Sequence, residues 1–356
     1  MKKIIRSISC IALVFSLIAC EASDPNCDGD CVNGFGTFTY SDGKYIGQWI
    51  NGIRHGQGSF VKNDGYKYSG DYKNDKPNGV GTQLWNTVTR DKYIGEVKDG
   101  LRHGHGVYSN NDGYKYVGNY VNGEKDGPGI ETWNAGKDGK YEGNYLEGKR
   151  HGQGTYYYAN ATYSGDWQNG RRNGQGTYTD SEGYTYIGGY QNDQPHGNGV
   201  QTWSNGEKYI GKMVDGVRSG QGTYIYIKGK YTGQWAAGDR NGSGRYIKED
   251  GYSYQGEYKD NSPHGYGVQR WKDGTSYVGE LVNGDREGQG TYYYKRSKYT
   301  GYWKAGEKHG DGLYSWNSGA TRHGTWFDGK LNGKAIYTSD SGKKVTEQWN
   351  NGEEVK

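Results

Sequence analysis

Six of the eight histidines in this chain, His55, His103, His151, His196, His264 and His309, stand ten residues after a recurring tyrosine. Imidazoles in such a column could chelate a metal or relay protons. At the same place other copies of the segment carry Asn78, Asp126, Asn173, Ser219, Asn241 or Glu287, and no two neighbouring copies both carry His. A position open to all these polar types reads as a hydrogen bonder that stabilises a turn. Carboxylates are scattered singly rather than paired across a cleft. The many Gly-x-Gly pairs lead into no helix that could hold a phosphate. The expectation is no catalytic residue, no metal and no cofactor. Cys27 and Cys31 enclose only Asp28-Gly29-Asp30. In an exported chain they suit a local disulfide. Two free thiols are the alternative, and a metal site is two ligands short with no His nearby. A calcium loop fails because Thr39 occupies the place of the bidentate glutamate.

Export is read from the N-terminus. Lys2, Lys3 and Arg6 precede a short apolar run, Ile8 to Ile18, which ends in Leu17-Ile18-Ala19-Cys20. The run is too short to span a bilayer, which takes roughly 20 apolar residues. It resembles a bacterial lipoprotein signal peptide, with an ordinary secretory signal as the rival reading. The resemblance implies cleavage before Cys20, acylation of its thiol and a place in the cell envelope. Glu21, where an Asp would mark inner-membrane retention, favours the outer membrane or cell surface. Residues 1–19 are then the signal and 20–32 a lipidated, flexible tether. The formal charge is +4, and +1 once Lys2, Lys3 and Arg6 are removed. That balance gives no basis for nucleic-acid binding.

The elements follow from composition and period. The chain has 356 residues with 65 Gly, 37 Tyr and 11 Trp, but only 31% apolar residues. So much glycine argues against long helices, and so little apolar content argues against a compact α/β enzyme. Anchor tyrosines recur at 45, 68, 93, 116, 141, 163, 186, 209, 231, 254, 277 and 299, and Arg322 and Val345 continue the register. The residue four places on is aromatic or apolar in all fourteen copies. Tyr45, Gly47 and Trp49 share one strand face. Asn51-Gly52 supplies a turn of positive φ, and Gly56, Gly58 and Phe60 begin the return strand. Each unit therefore reads as a β-hairpin that cannot bury its ring face alone.

Tyr45-Ile46-Gly47-Gln48-Trp49 with His55-Gly56-Gln57-Gly58 resembles a MORN repeat (membrane occupation and recognition nexus). So do Tyr141-Glu142-Gly143 with His151-Gly152-Gln153-Gly154, and Tyr299-Thr300-Gly301 with His309-Gly310-Asp311-Gly312. The resemblance implies an all-β fold, an elongated single-layer antiparallel β-meander of stacked hairpins, with about 13–14 units of about 23 residues. The array would run over 33–321, with degenerate capping repeats at 322–356. Asn74-Asp75, Asn192-Asp193 and Asp260-Asn261 depart from the pattern by lacking the turn glycine, and Glu347 stands in place of the anchor glycine. In the family the repeats serve as scaffold or binding surface, and no stretch remains here for a catalytic domain.

Units anchored at Tyr68, Tyr116, Tyr186 and Tyr254 share a variant: a Tyr two residues earlier, a Pro, and Trp85, Trp133, Trp203 or Trp271 seventeen residues on. Gln83, Glu131, Gln201 or Gln269 stands two places before each Trp. The four tryptophans are either local packing or a candidate binding ridge. The function expected is a non-enzymatic, lipid-anchored protein-interaction scaffold whose weak contacts add by multivalency. Its protein partners are unidentified, and unpaired end strands allow a homodimer. Glycan or phospholipid binding through the aromatic face is the alternative. Exposed Trp ridges would favour glycan, and a basic stripe would favour lipid.

Overall fold

The computed structural model describes residues 24–85 and 90–355. The expected signal segment and Cys20 lie outside them. The chain divides into two compact units, one ending at Asn111 and one beginning at Asp112. In the first, β1 (Cys27–Gly29), β2 (Phe35–Tyr40), β3 (Gly43–Ile50), β4 (Ile53–Lys62), β5 (Lys67–Lys73), β6 (Lys76–Leu84), β7 (Lys92–Lys98) and β8 (Leu101–Ser109) each pair antiparallel with the next. In the second, the strands from Lys115–Val121 to Glu353–Glu354 do the same. The fold is the all-β, single-layer meander that the repeat predicts.

Along β3 the alternation is strict: Gly43, Tyr45, Gly47 and Trp49 are buried, while Lys44, Ile46, Gln48 and Ile50 face solvent. The anchor tyrosines are the core. Tyr45, Tyr68 and Tyr231 are fully buried, and their hydroxyls donate to the carbonyls of Gln48, Asp71 and Gln234 at 3.1, 2.8 and 2.9 Å. Each ring lies across a glycine of the next strand. A Cβ on Gly81 would come within 2.5 Å of Tyr68 Cε2. This glycine supplies room rather than an unusual φ.

Turns close the hairpins. Asn51 and Gly52 have φ of 52° and 73°, the paired positive values of a type I′ turn. The three turns without glycine have a reason. Asp75, Asp193 and Asn261 take φ of 66°, 71° and 70°, and each side chain accepts the backbone N–H of Arg54, Arg172 or Arg240 in the preceding hairpin at 2.9 Å. The arginine Nη2 then donates to the backbone oxygen of the same turn residue at 2.7, 2.7 and 2.6 Å. A side chain that ties two hairpins together offsets the strain of a non-glycine residue at positive φ.

Both ends depart from expectation in detail. Within the segment expected to be a flexible tether, Cys27–Gly29 pairs with Gly36–Phe38 and Cys27 is joined to Cys31 by a disulfide, Cα–Cα 6.2 Å. The folded array therefore begins at Cys27 rather than 33, because the short bridged loop returns a strand onto the edge of β2. At the other end the two off-pattern residues are partners: Arg322, in an anchor position, pairs with Glu347, in a glycine position, at 2.8 Å. With no tyrosine ring over it, the place of the facing glycine is filled by buried Ala335.

Gly81→Ala is expected to destabilise by about 1–3 kcal/mol, the range for overpacking a filled core. Hydrogen exchange would show lost amide protection in β5 and β6. Gly52→Asn, in open space and with a residue that tolerates positive φ, should change stability by under about 0.5 kcal/mol.

Candidate functional site

The aromatic face carries two tiers. In the inner tier Tyr45 meets Trp49 and Tyr72 edge to face, at 5.1 and 5.0 Å. Tyr231 meets Trp235 and Tyr258 in the same way, at 5.3 and 5.0 Å. Such contacts add about 0.5–1.5 kcal/mol each beyond area burial. Burial pushes the Tyr45 and Tyr231 hydroxyls up to about 12, with Arg54 and Arg240 pulling the other way.

Sequence reasoning missed the cations. Nine residues after the anchor stands Arg54, Arg102, Lys125, Arg150, Arg172, Arg218, Arg240, Arg286 or Lys308. Each lies against the rings; Arg150 is 5.1 Å from the Trp133 and Tyr141 centroids, 4.7 Å from Tyr156 and 5.4 Å from Trp167. The recurrence was there to be read, but only the fold shows that these side chains cover the aromatic face instead of pointing to solvent.

The four variant tryptophans belong to the outer tier and are half-buried. Each sits between the tyrosine two residues before its own anchor and a tyrosine of the next hairpin. Trp133 is 6.3 Å from Tyr114 and 5.5 Å from Tyr156; Trp203 is 5.9 Å from Tyr184 and 5.4 Å from Tyr224. Trp85 lies between Tyr66 and Tyr108, and Trp271 between Tyr252 and Tyr292. They are packing residues with part of each ring open to solvent.

Beneath them the variant is a linked substitution. Where proline holds the cation's place, as at Pro77, Pro195 and Pro263, the partner position is Gln83, Gln201 or Gln269. These amides donate to the hydroxyls of Tyr66, Tyr184 and Tyr252 at 3.4, 3.0 and 3.2 Å. In the Tyr116 unit Lys125 keeps the cation and the amide becomes Glu131. Lys125 and the Tyr114 hydroxyl bind one oxygen of that buried carboxylate, and Tyr145 donates to the other at 3.0 Å. Burial opposes ionisation of Glu131, yet Lys125 and the two hydroxyls hold its carboxyl below the ordinary glutamate range.

The position ten residues after the anchor faces the turn of the next hairpin: there Glu287 and Asp126 accept the backbone N–H of the turn residues Ala305 and Glu147 at 2.9 and 3.5 Å. The histidines at this position lie on the return strands, three residues past their own turn, and Nδ1 of His196 and His309 lies 3.5 and 3.8 Å from the turn carboxylates of Asp215 and Asp328 in the next hairpin. A register shift stands beside them and is capped by the side chain three residues after the anchor, as where Asp71 accepts the Val80 N–H at 2.9 Å. Among the described residues no three His, Cys, Asp or Glu side chains converge on a metal position.

Fourteen segments between residues 33 and 344 match the MORN repeat model, in the register of the anchor tyrosines. The chain belongs to the MORN-repeat family. A comparison with curated proteins finds no match. Among solved structures, the chain is similar to the TCP domain of Drosophila melanogaster SAS-4, solved with a proline-rich motif of Ana2, at 14% identity over 49% of this chain and 84% of that one, TM-score 0.20. It is also similar to a streptogramin B lyase, at 12% identity over 85% and 91% of the two chains, TM-score 0.13. Likeness this weak carries no inference about function.

Glu131→Gln leaves Lys125 without its counter-ion, and a loss of about 1–3 kcal/mol is expected in denaturant unfolding. The double change Lys125→Pro with Glu131→Gln copies the sister MORN units and should recover most of it. The lowered carboxyl contributes stability that is complete above the ordinary value of 4.5 and disappears as pH falls through the folded value. The raised tyrosines act at the other end. Their stabilisation is complete below 10 and is lost as pH rises toward about 12, so ultraviolet phenolate titration of the anchors should coincide with loss of sheet signal.

Proposed function

We propose that this MORN protein is a non-enzymatic lipoprotein of the bacterial cell envelope, anchored through Cys20, whose repeats are a protein-interaction scaffold. The observation that carries this reading is the uncovered sheet face. Within each unit one face is filled by the chain's own aromatic rings, while the other presents apolar side chains to solvent. Val80 in the first unit is 60% exposed, and Ile187 and Tyr266 in the second are 55% and 61% exposed. Apolar surface repeated in register on a soluble sheet marks an interaction site, and many weak contacts along one array add by multivalency. The half-buried Trp85, Trp133, Trp203 and Trp271 offer a second, narrower contact on the opposite face.

A membrane-surface reading has one supporting feature. Lys44, Lys67 and Lys92 stand on the open face of the first unit, one per hairpin. Asp71 and Glu96 share that face and dilute the charge, so protein binding is preferred.

The test uses the full chain as bait for solubilised envelope proteins, with phosphatidylglycerol liposomes and purified wall glycan in parallel. Stoichiometric capture of a defined protein is expected, lost when Val80, Ile187 and Tyr266 are changed to Lys and less affected when the four tryptophans are changed to Ala. Capture of liposomes or glycan with no protein partner would sink the scaffold reading.

A further inference from the structure

The outer aromatic tier is interrupted at one junction in the second unit. Where equivalent rings meet, they are in contact: Tyr40 with Phe60 at 6.0 Å, Tyr226 with Tyr246 at 6.0 Å and Tyr294 with Tyr314 at 5.9 Å. No ring contact joins the equivalent Tyr158 and Tyr178. Tyr178 instead lies against Tyr184, at 6.2 Å. The gap is a cleft of about 740 Å³, within the range of ligand pockets.

Short side chains open it. Asp180 stands where the equivalent hairpins carry Lys62, Lys248 or Trp316, and Ala159 stands where others carry Ile227 or Lys295. Asp180 turns Oδ1 back onto the N–H groups of Glu182 and Tyr184, at 3.0 and 2.9 Å, which keeps it from filling the space. Its other oxygen has no protein partner among the described residues.

The walls are tyrosine faces, and the polar groups are of both signs. Arg172 reaches the cleft; it gives Nε and one Nη2 hydrogen to Asp193, at 3.4 and 2.7 Å, and keeps its remaining N–H donors. The Tyr158 and Tyr178 hydroxyls carry no hydrogen bond to protein among the described residues. Asp180 and exposed Glu182 offer acceptors. An anionic ligand would meet Asp180, Glu182 and, beside the guanidinium, Asp193, and a cationic one would meet Arg172. A neutral polyol satisfies donors and acceptors together, and a pyranose adds an apolar C–H face that stacks on a tyrosine ring.

We propose that the cleft between Tyr158 and Tyr178, above Arg172, binds a neutral saccharide chain. This site is separate from the open face, so its failure would leave the scaffold reading standing.

The experiment titrates the full chain calorimetrically with cellotetraose, maltotetraose and chitotetraose, and with tetramethylammonium and benzoate as charged probes. Saturable binding of at least one tetrasaccharide is expected, with a dissociation constant below about 10 mM and little dependence on salt. Asp180→Lys places in the gap the residue found at Lys62 and Lys248, so the fold should be kept while saccharide binding falls at least tenfold. Tyr178→Ala should weaken it about two- to tenfold, the equivalent of one lost stacking contact. The proposal is overturned if no tetrasaccharide binds at about 10 mM, if binding survives Asp180→Lys in a protein of unchanged circular dichroism, or if a charged probe binds more tightly.

Discussion

Each anchor tyrosine spreads its ring over a glycine of the neighbouring strand and gives its hydroxyl proton to a carbonyl three residues on. In a single-layer sheet no second layer exists to cover the ring, so the sheet's own backbone must serve as the packing surface. Only a residue without Cβ lets the ring come so close; at Gly58 and Gly81 any side chain would occupy the space of Tyr45 or Tyr68. The column of edge-to-face rings, the cations over them and the pairing of successive hairpins all depend on that contact. Where it is absent, at Arg322, the glycine facing it is also gone and an ion pair to Glu347 takes over.

Burying so many rings beside arginine and lysine is tolerable because the cations stay partly solvated while their planes or methylenes lie on the aromatic faces. The linked change of Pro and Gln to Lys125 and Glu131 shows how local the electrostatic balance is. Among the described residues the one buried carboxylate, Glu131, stands in the hairpin where Lys125 faces it, as the cost of an unpaired buried charge requires. The chain can thus vary its outer tier unit by unit without disturbing the inner column, and that freedom is where binding sites arise. The cleft over Arg172 is such a variation: same hairpin, shorter side chains.

The repeat length, the strand parity, the turn pairs and the identity of the buried column were legible because each is a local property. Alternation fixes which residues share a face, and Asn51-Gly52 specifies its own turn. The role of the cations nine residues after each anchor was not legible, since an arginine on a strand reads as a solvent residue until neighbouring hairpins are seen to bring rings on both sides of it. The histidine position was legible as a turn contact, but only strand pairing shows that the turn it faces belongs to the next hairpin.

The sequence alone therefore determined the class of fold, the count of hairpins and the aromatic core, because these follow from periodicity and sterics within one unit. Only the tertiary structure decided which aromatics are sealed and which remain partly open, why Asp75, Asp193 and Asn261 can replace a turn glycine, and that the segment from Cys27 is a paired strand. The turn replacements are contacts between hairpins some twenty residues apart and the Cys27 strand folds back on β2; in both, the geometry is set by strand pairing and not by the adjacent residues in the chain.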